Sequence, residues 1–237
     1  MKRITCKITT LVLGLLAAGT GVILAQGTFQ NLNFESANVA PLPPGQDGGF
    51  VSIADGFPGW AASVGTNLQG VVLHNSLSIG NAAVGILGPN YYSGAILEGS
   101  YTAALQTGLD PAHAGSLTPV PASLWQSGTI PANARSILFR VGPDPADFAV
   151  EFNGQALSVL PMESTASYQE FGADVTGFSG LSGQLLFTVL PTRYPLYNTL
   201  LLDSIQFSDQ RVPEPGVGSL SILGALVFAW RASRRRR

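Results

Sequence analysis

Ser123-Leu-Trp-Gln-Ser-Gly-Thr-Ile-Pro-Ala-Asn-Ala-Arg-Ser-Ile-Leu-Phe-Arg-Val141 is the stretch that decides the fold. Two short runs, Ser123 to Ile130 and Ser136 to Val141, read as strands. The segment between them carries Pro131 and Asn133, which break regular structure and favour a turn. The same alternation of short apolar run and breaker continues outward in both directions. Further strands are expected at Phe29 to Glu35, Val71 to Ile79, Ala95 to Glu98, Tyr101 to Gln106, Phe148 to Phe152, Ala156 to Leu160, Tyr168 to Asp174, Gln184 to Leu190 and Thr199 to Phe207. No stretch between residues 26 and 209 keeps a helical apolar period without a glycine or proline interrupting it, so the expectation is all-β. Many short strands of this kind, over about 185 residues, favour a single β-sandwich or jelly roll.

Charge divides the chain into three. Lys2, Arg3 and Lys7 mark one end, and Arg231, Arg234, Arg235, Arg236 and Arg237 the other. Between Gly27 and Arg211 four arginines face thirteen carboxylates, a formal charge of −9, and lysine is absent. Such a domain repels a phosphate backbone, which excludes nucleic acid as a partner class. Divalent cations and neutral polymers stay open.

The N-terminal end reads as a secretory signal peptide over residues 1–25. It has a basic start, an apolar run from Leu11 to Leu24 and small residues before Gln26. That run is short for a membrane span, which needs roughly 20 apolar residues. Cys6 precedes the apolar run and is the only cysteine, so the mature domain is expected to hold no internal disulfide.

At the other end stand Val212-Pro213-Glu214-Pro215, an apolar run over residues 216–230 ending in Trp230, and the arginine cluster. Fifteen residues in a helix cover about 22 Å, slightly less than a bilayer core, so flanking side chains must reach to the interface. The arginines would hold this end in the cytoplasm and stop transfer, leaving the acidic domain outside. The arrangement over residues 210–237 resembles the PEP-CTERM sorting domain of exopolysaccharide-producing bacteria. The resemblance implies processing by an exosortase, a membrane transpeptidase, after signal peptidase and the secretion machinery have exported the chain. An inner-membrane-anchored precursor would then become a cell-surface or biofilm-matrix protein.

The order Asn31-Leu-Asn-Phe-Glu35, Phe57-Pro-Gly-Trp60, Gly128 to Arg140 and Leu200-Leu-Leu-Asp-Ser-Ile-Gln-Phe207 resembles galactose-binding-like jelly rolls. In carbohydrate-binding members a structural calcium often joins the first and last strands. The resemblance implies Glu35 and Asp203 as its ligands, with backbone carbonyls completing a shell of six to eight oxygens. Plain turn-forming roles for the same two residues are the alternative.

His74 and His113 lack metal-site spacing and are expected on loop or strand surfaces. Asp144 and Asp147 sit in a turn composition. Glu98, Glu151, Glu163 and Glu170 offer carboxylates for glycoside hydrolysis without favouring any pair. Trp60 and Trp125 are expected to be packed, whereas Tyr91, Tyr92, Tyr194 and Tyr197 are candidates for a platform on which sugar rings stack. Three readings follow: a non-enzymatic structural or adhesive surface domain, a carbohydrate-binding module for exopolysaccharide or an external glycan, and a hydrolase with an unrecognised site. The first is preferred, and no catalytic residue is assigned.

Overall fold

The computed structural model describes residues 27–91, 94–113, 115–192 and 198–212. The signal peptide, Pro213 to Pro215, the apolar run at 216–230 and the terminal arginines lie outside the described residues, as do Tyr92, Tyr194 and Tyr197. Among the described residues no helix is long and apolar enough to cross a membrane.

In chain order the strands are β1 (Gly49–Ser52), β2 (Ala61–Val64), β3 (Asn67–Gln69), β4 (Val71–His74), β5 (Ala83–Leu87), β6 (Thr102–Gln106), β7 (Gly108–Leu109) and β8 (Pro119–Val120). They continue as β9 (Ala122–Thr129), β10 (Ser136–Val141), β11 (Phe148–Phe152), β12 (Gln155–Ala156), β13 (Val159–Ser164), β14 (Gln169–Asp174), β15 (Ser182–Val189) and β16 (Thr199–Ser208). One sheet has the order β1-β4-β5-β6-β16-β10-β14-β13, the other β12-β11-β15-β9-β2-β3, and β7 and β8 form a small ribbon. Pairing is antiparallel except between β4 and β5.

The period-two rule places the core. On β10 Ile137, Phe139 and Val141 are buried, and on β15 Leu185, Phe187 and Val189 are buried. Phe139 and Phe187 meet edge to face with centroids 5.2 Å apart. Because these strands belong to different sheets, the two sheets face one another, and the all-β sandwich expected from the sequence is present. Trp60 is buried between Phe34 and Phe187, its ring N–H donating to the Asn31 carbonyl at 3.0 Å. Trp125 departs from expectation: it lies one residue out of phase with buried Leu124, and is only half-buried.

Phe29 to Glu35 is not a strand. Asn31 and Phe34 have φ of 50° and 59°, a region that an asparagine tolerates and a phenylalanine adopts only under constraint. The constraint is burial: Phe34 packs against Phe57 and Trp60. The segment still runs beside β16, with the Ile205 N–H donating to the Leu32 carbonyl at 2.9 Å and the Phe29 ring tilted against Phe207, centroids 5.4 Å apart. The Gln126 carboxamide bonds both backbone groups of Gln30, at 2.9 and 2.8 Å, standing in for a missing ladder.

The expected strand at Val71 to Ile79 stops at His74, because Asn75 turns the chain at φ 47°. The expected strand at Ala95 to Glu98 is loop. That loop lies on the outer face of the larger sheet, where Leu87, Ala95 and Ala104 form a second, smaller buried cluster. Strands β1, β2, β3, β5, β7 and β8 fall outside the expected runs, and the expected strand at Ala156 to Leu160 is divided between the end of β12 and the start of β13.

Both described termini leave from one end of the sandwich. Thr28 bonds Thr129, the Arg135 N–H donates to the Ser208 carbonyl, and the turn at 130–135 joins the two sites. Beyond Ser208, Val212 lies against Gly172, where an added methyl would come within 3.0 Å of it.

Phe139 touches Phe148, Phe171 and Phe187 at the sheet interface. Phe139→Ala is therefore expected to lower unfolding free energy by about 3–5 kcal/mol, read from urea unfolding. A loss under 1 kcal/mol would mean that this face is not the core.

Candidate functional site

Two concave features draw polar side chains together. The first begins at the end of β4. Asn75, turning the chain there, accepts the Gly88 N–H at 2.7 Å and donates to the Pro89 carbonyl at 3.3 Å, which ties the ends of β4 and β5. Gly88 is required at its position, because a methyl there would meet Tyr101 Cε1 at 2.7 Å. Tyr101 thereby packs against Gly88 and forms one wall. Gln46, Asp47, His74, Asn75, Tyr91 and Tyr101 line the resulting cleft of about 260 Å³, roofed by the segment at 39–42.

His74 is only 6% exposed, and among the described residues no hydrogen bond or ion pair reaches its ring. Burial holds its pKa below the ordinary imidazole value. At neutral pH the ring is accordingly uncharged, with one nitrogen to donate and one to accept. The ring nitrogens keep some contact with the cleft, where water or a ligand hydroxyl can satisfy them. Its placement corrects the expectation of a surface position. His113 is exposed and pairs with Asp110 at 2.6 Å.

The second feature is the carboxylate cluster on the outer side of β16. Asp203 is fully buried. Its Oδ2 accepts the Glu98 N–H at 3.2 Å and the Thr102 hydroxyl at 2.9 Å, and its Oδ1 accepts the Ser204 N–H at 2.6 Å. Glu35 Oε1 accepts the N–H groups of Ser100 and Tyr101 at 2.9 and 3.0 Å. Both carboxylates, which the sequence paired, thus grip one loop and line one concavity with Asn33, Glu98 and Ser204. Burial pushes the Asp203 carboxyl up to about 7, and the Glu35 charge pushes in the same direction, against the pull of its hydrogen bonds.

As a calcium site the pair is incomplete. The groups converging on it are N–H and O–H donors, where calcium needs oxygen acceptors. Among the described residues no three His, Cys, Asp or Glu side chains come together to hold a metal. Glu98 is engaged elsewhere: it accepts from Arg140 at 2.7 Å and from the Ser204 hydroxyl. Arg140 also lies over the Tyr168 ring at 4.4 Å and 3.6 Å from Glu170. Glu98 and Glu170, two of the four carboxylates considered for hydrolysis, therefore share one guanidinium. Of the tyrosine platform, Tyr91 lines the His74 cleft, and Tyr101 is the wall that sequence reasoning missed.

No family model matches the chain, and no curated protein sequence matches it. Among solved structures, TmCBM61 in complex with β-1,4-galactotriose is similar over 78% of this chain and 99% of that one, at 12% identity and a TM-score of 0.43. An apo form cyclase from Fischerella sp. is similar over 76% of this chain and 94% of its own, at 13% identity and a TM-score of 0.40. The K2 cleaved adhesin domain of Lys-gingipain is similar over 74% and 96%, at 15% identity and a TM-score of 0.36.

The raised Asp203 pKa fixes the sign of a pH effect. The folded state favours the protonated acid, so its contribution is fully present below about 4 and is lost as pH rises to about 7. The melting temperature of the wild type relative to Asp203→Asn should therefore fall across that window and then level. The full shift corresponds to something on the order of 4 kcal/mol. A difference independent of pH would show that Asp203 ionises normally. Calcium added at pH 7 tests the cation reading in the same scans. Melting identical in calcium and in chelator would leave loop-clamping as the whole role of Glu35 and Asp203.

Proposed function

We propose that this chain is an exported, non-catalytic surface domain that holds polysaccharide in the cleft around His74. The observation that carries the reading is the cleft itself, where the His74 imidazole, bonded to no described side chain, stands beside Tyr91 and Tyr101. Sugar rings present apolar faces that stack on aromatic side chains, and hydroxyls that both donate and accept. A neutral imidazole and the amides of Asn75 and Gln46 match that chemistry at the edge of the same cleft. The support falls on the carbohydrate-binding reading of the sequence in preference to a purely structural or adhesive one.

Delivery belongs to the same proposal. The signal-peptide pattern at 1–25 and the Val212-to-Pro215 motif, apolar run and arginines support export, inner-membrane anchoring and exosortase processing, ending at the cell surface or in the matrix.

Binding is read as retardation on polysaccharide affinity gels. His74→Ala and Tyr91→Ala should each weaken it about tenfold, equivalent to about 1.4 kcal/mol, with Phe50→Ala as a surface control. Retardation by no polysaccharide, or retardation unchanged in both variants, would end the reading. Processing is read as the mass of the mature protein in its host. Wild type should lose the segment after the Pro-Glu-Pro motif and Glu214→Ala should keep it, because an enzyme reads that side chain and a bilayer does not. A wild-type protein that keeps its arginine tail would leave only the anchor.

A further inference from the structure

Gly172 is buried although it lies on the outer face of the larger sheet. Its neighbour on β14, Ala173, belongs to the core, so the period of two turns Gly172 outward. Directly beside it stand Leu138 on β10 and Leu160 on β13. A methyl added at Gly172 would meet Leu138 Cδ2 at 2.9 Å, Val212 Cγ2 at 3.0 Å and Met162 Cγ at 3.3 Å. The glycine is thus the floor of a notch walled by Leu138 and Met162, and Val212 fills it.

The chain is held on its way to that notch. Where β16 ends, the Arg135 N–H donates to the Ser208 carbonyl at 2.7 Å, and the Ser136 hydroxyl donates to the Gln210 carbonyl at 2.8 Å. Ser136 is buried, which shields this second bond from water. The Gln210 N–H donates back to Ser208 Oγ at 3.0 Å. Arg211 then passes Asp174, whose carboxyl is held below its ordinary value by its hydrogen bonds with Thr176 and, further, by the Arg211 charge. Residues 209–212 therefore form a strap fixed at both ends, by Ser136 at the start and by the Gly172 notch at the finish. Pro213 follows at once, and with it the Pro-Glu-Pro motif.

An enzyme that cuts a chain takes several consecutive residues into its groove in extended form. A residue seated in a folded surface cannot enter such a groove, so cutting proceeds from the fraction of molecules in which the segment has opened locally. We propose that the strap at 209–212 is an autoinhibitory contact, and that an enzyme can take in the chain from Arg211 into the motif at 213–215 only after Val212 has left its notch over Gly172. This rests on the processing reading above and adds to it a control by the folded domain.

The test uses the full chain in detergent and trypsin, for which the Arg211–Val212 bond lies inside the strap. Cutting there is read by mass as a fragment beginning at Val212, and each rate is divided by that of a synthetic peptide covering residues 205–215 with the same substitution. The wild-type bond should be cut about tenfold more slowly than the peptide, or slower still. Gly172→Val, which fills the notch, and Val212→Ala, which empties it, should each bring the rate to within about threefold of the peptide. Thermal melts check that both fold, and Val212→Ala, which alters no strand, decides the matter where Gly172→Val does not. A wild-type bond cut as fast as the peptide, or protection undiminished in every variant that folds, would overturn the strap. In the host, pulse-labelled precursor carrying the folded variant should lose its C-terminal tail about threefold faster than wild type, and Glu214→Ala should keep the tail with or without that variant. Trypsin protection lost while the tail is removed at the wild-type rate would overturn the control of processing. A strap confirmed by trypsin beside a tail that no form of the protein loses would remove the processing reading itself.

Discussion

Asp203 sits without solvent exposure in the middle of the longest strand, and the outer half of the molecule is arranged around it. Its carboxylate takes the Glu98 N–H and the Thr102 hydroxyl, and Glu35 takes the next two N–H groups along. These contacts draw the chain from Glu98 to Thr102 down onto the sheet. Tyr101 is thereby seated against Gly88, and the connection from Gly88 onward, including Tyr91, closes over Leu87 and Ala104. Without the clamp the loop would expose an apolar sheet face, and the cleft beside Tyr91 would lose a wall. A buried acid that folding holds partly protonated is thus tied to the shape of the surface some residues away.

Inside, the sheets are joined by rings. With Cys6 the only cysteine, no disulfide can link the two layers between residues 27 and 212. Phe139 contacts three other phenylalanines, and Trp60 bridges the irregular N-terminal segment to Phe187. Aromatic pairs of this kind contribute beyond their buried area, and their tilted geometries restrict how one sheet can slide on the other. The Gln126 carboxamide performs a similar joining role by polar means, holding Gln30 where no strand forms.

The strands richest in large side chains could be read from the sequence to within a residue or two, as at Ser136 to Val141 and Phe148 to Phe152. Those built from small residues could not. Ala61-Ala-Ser-Val64 and Ala83-Val-Gly-Ile-Leu87 pack closely between neighbours, and their pairing partners, distant in the chain, are what make them strands. Phe29 to Glu35 misled for the opposite reason: its apolar residues belong to the core, but two left-handed residues bend it out of a ladder. At the candidate site, the pairing of Glu35 with Asp203 was legible through the resemblance to jelly rolls, and the two carboxylates do hold one loop. His74 was not, since a histidine's burial and its lack of a partner depend on the covering segment at 39–42, far away in sequence. Asp144 looked like turn chemistry and lies in the bend after β10.

Val212 is still packed against Gly172 when the chain leaves the sandwich. The last described residue is thus held to the sandwich at the end where the 130–135 turn and the Thr28 segment also lie. A pull on the chain at this point is borne first by the contact with Gly172 on β14 and then, through the pairing of β14 with β10, by the larger sheet as a whole.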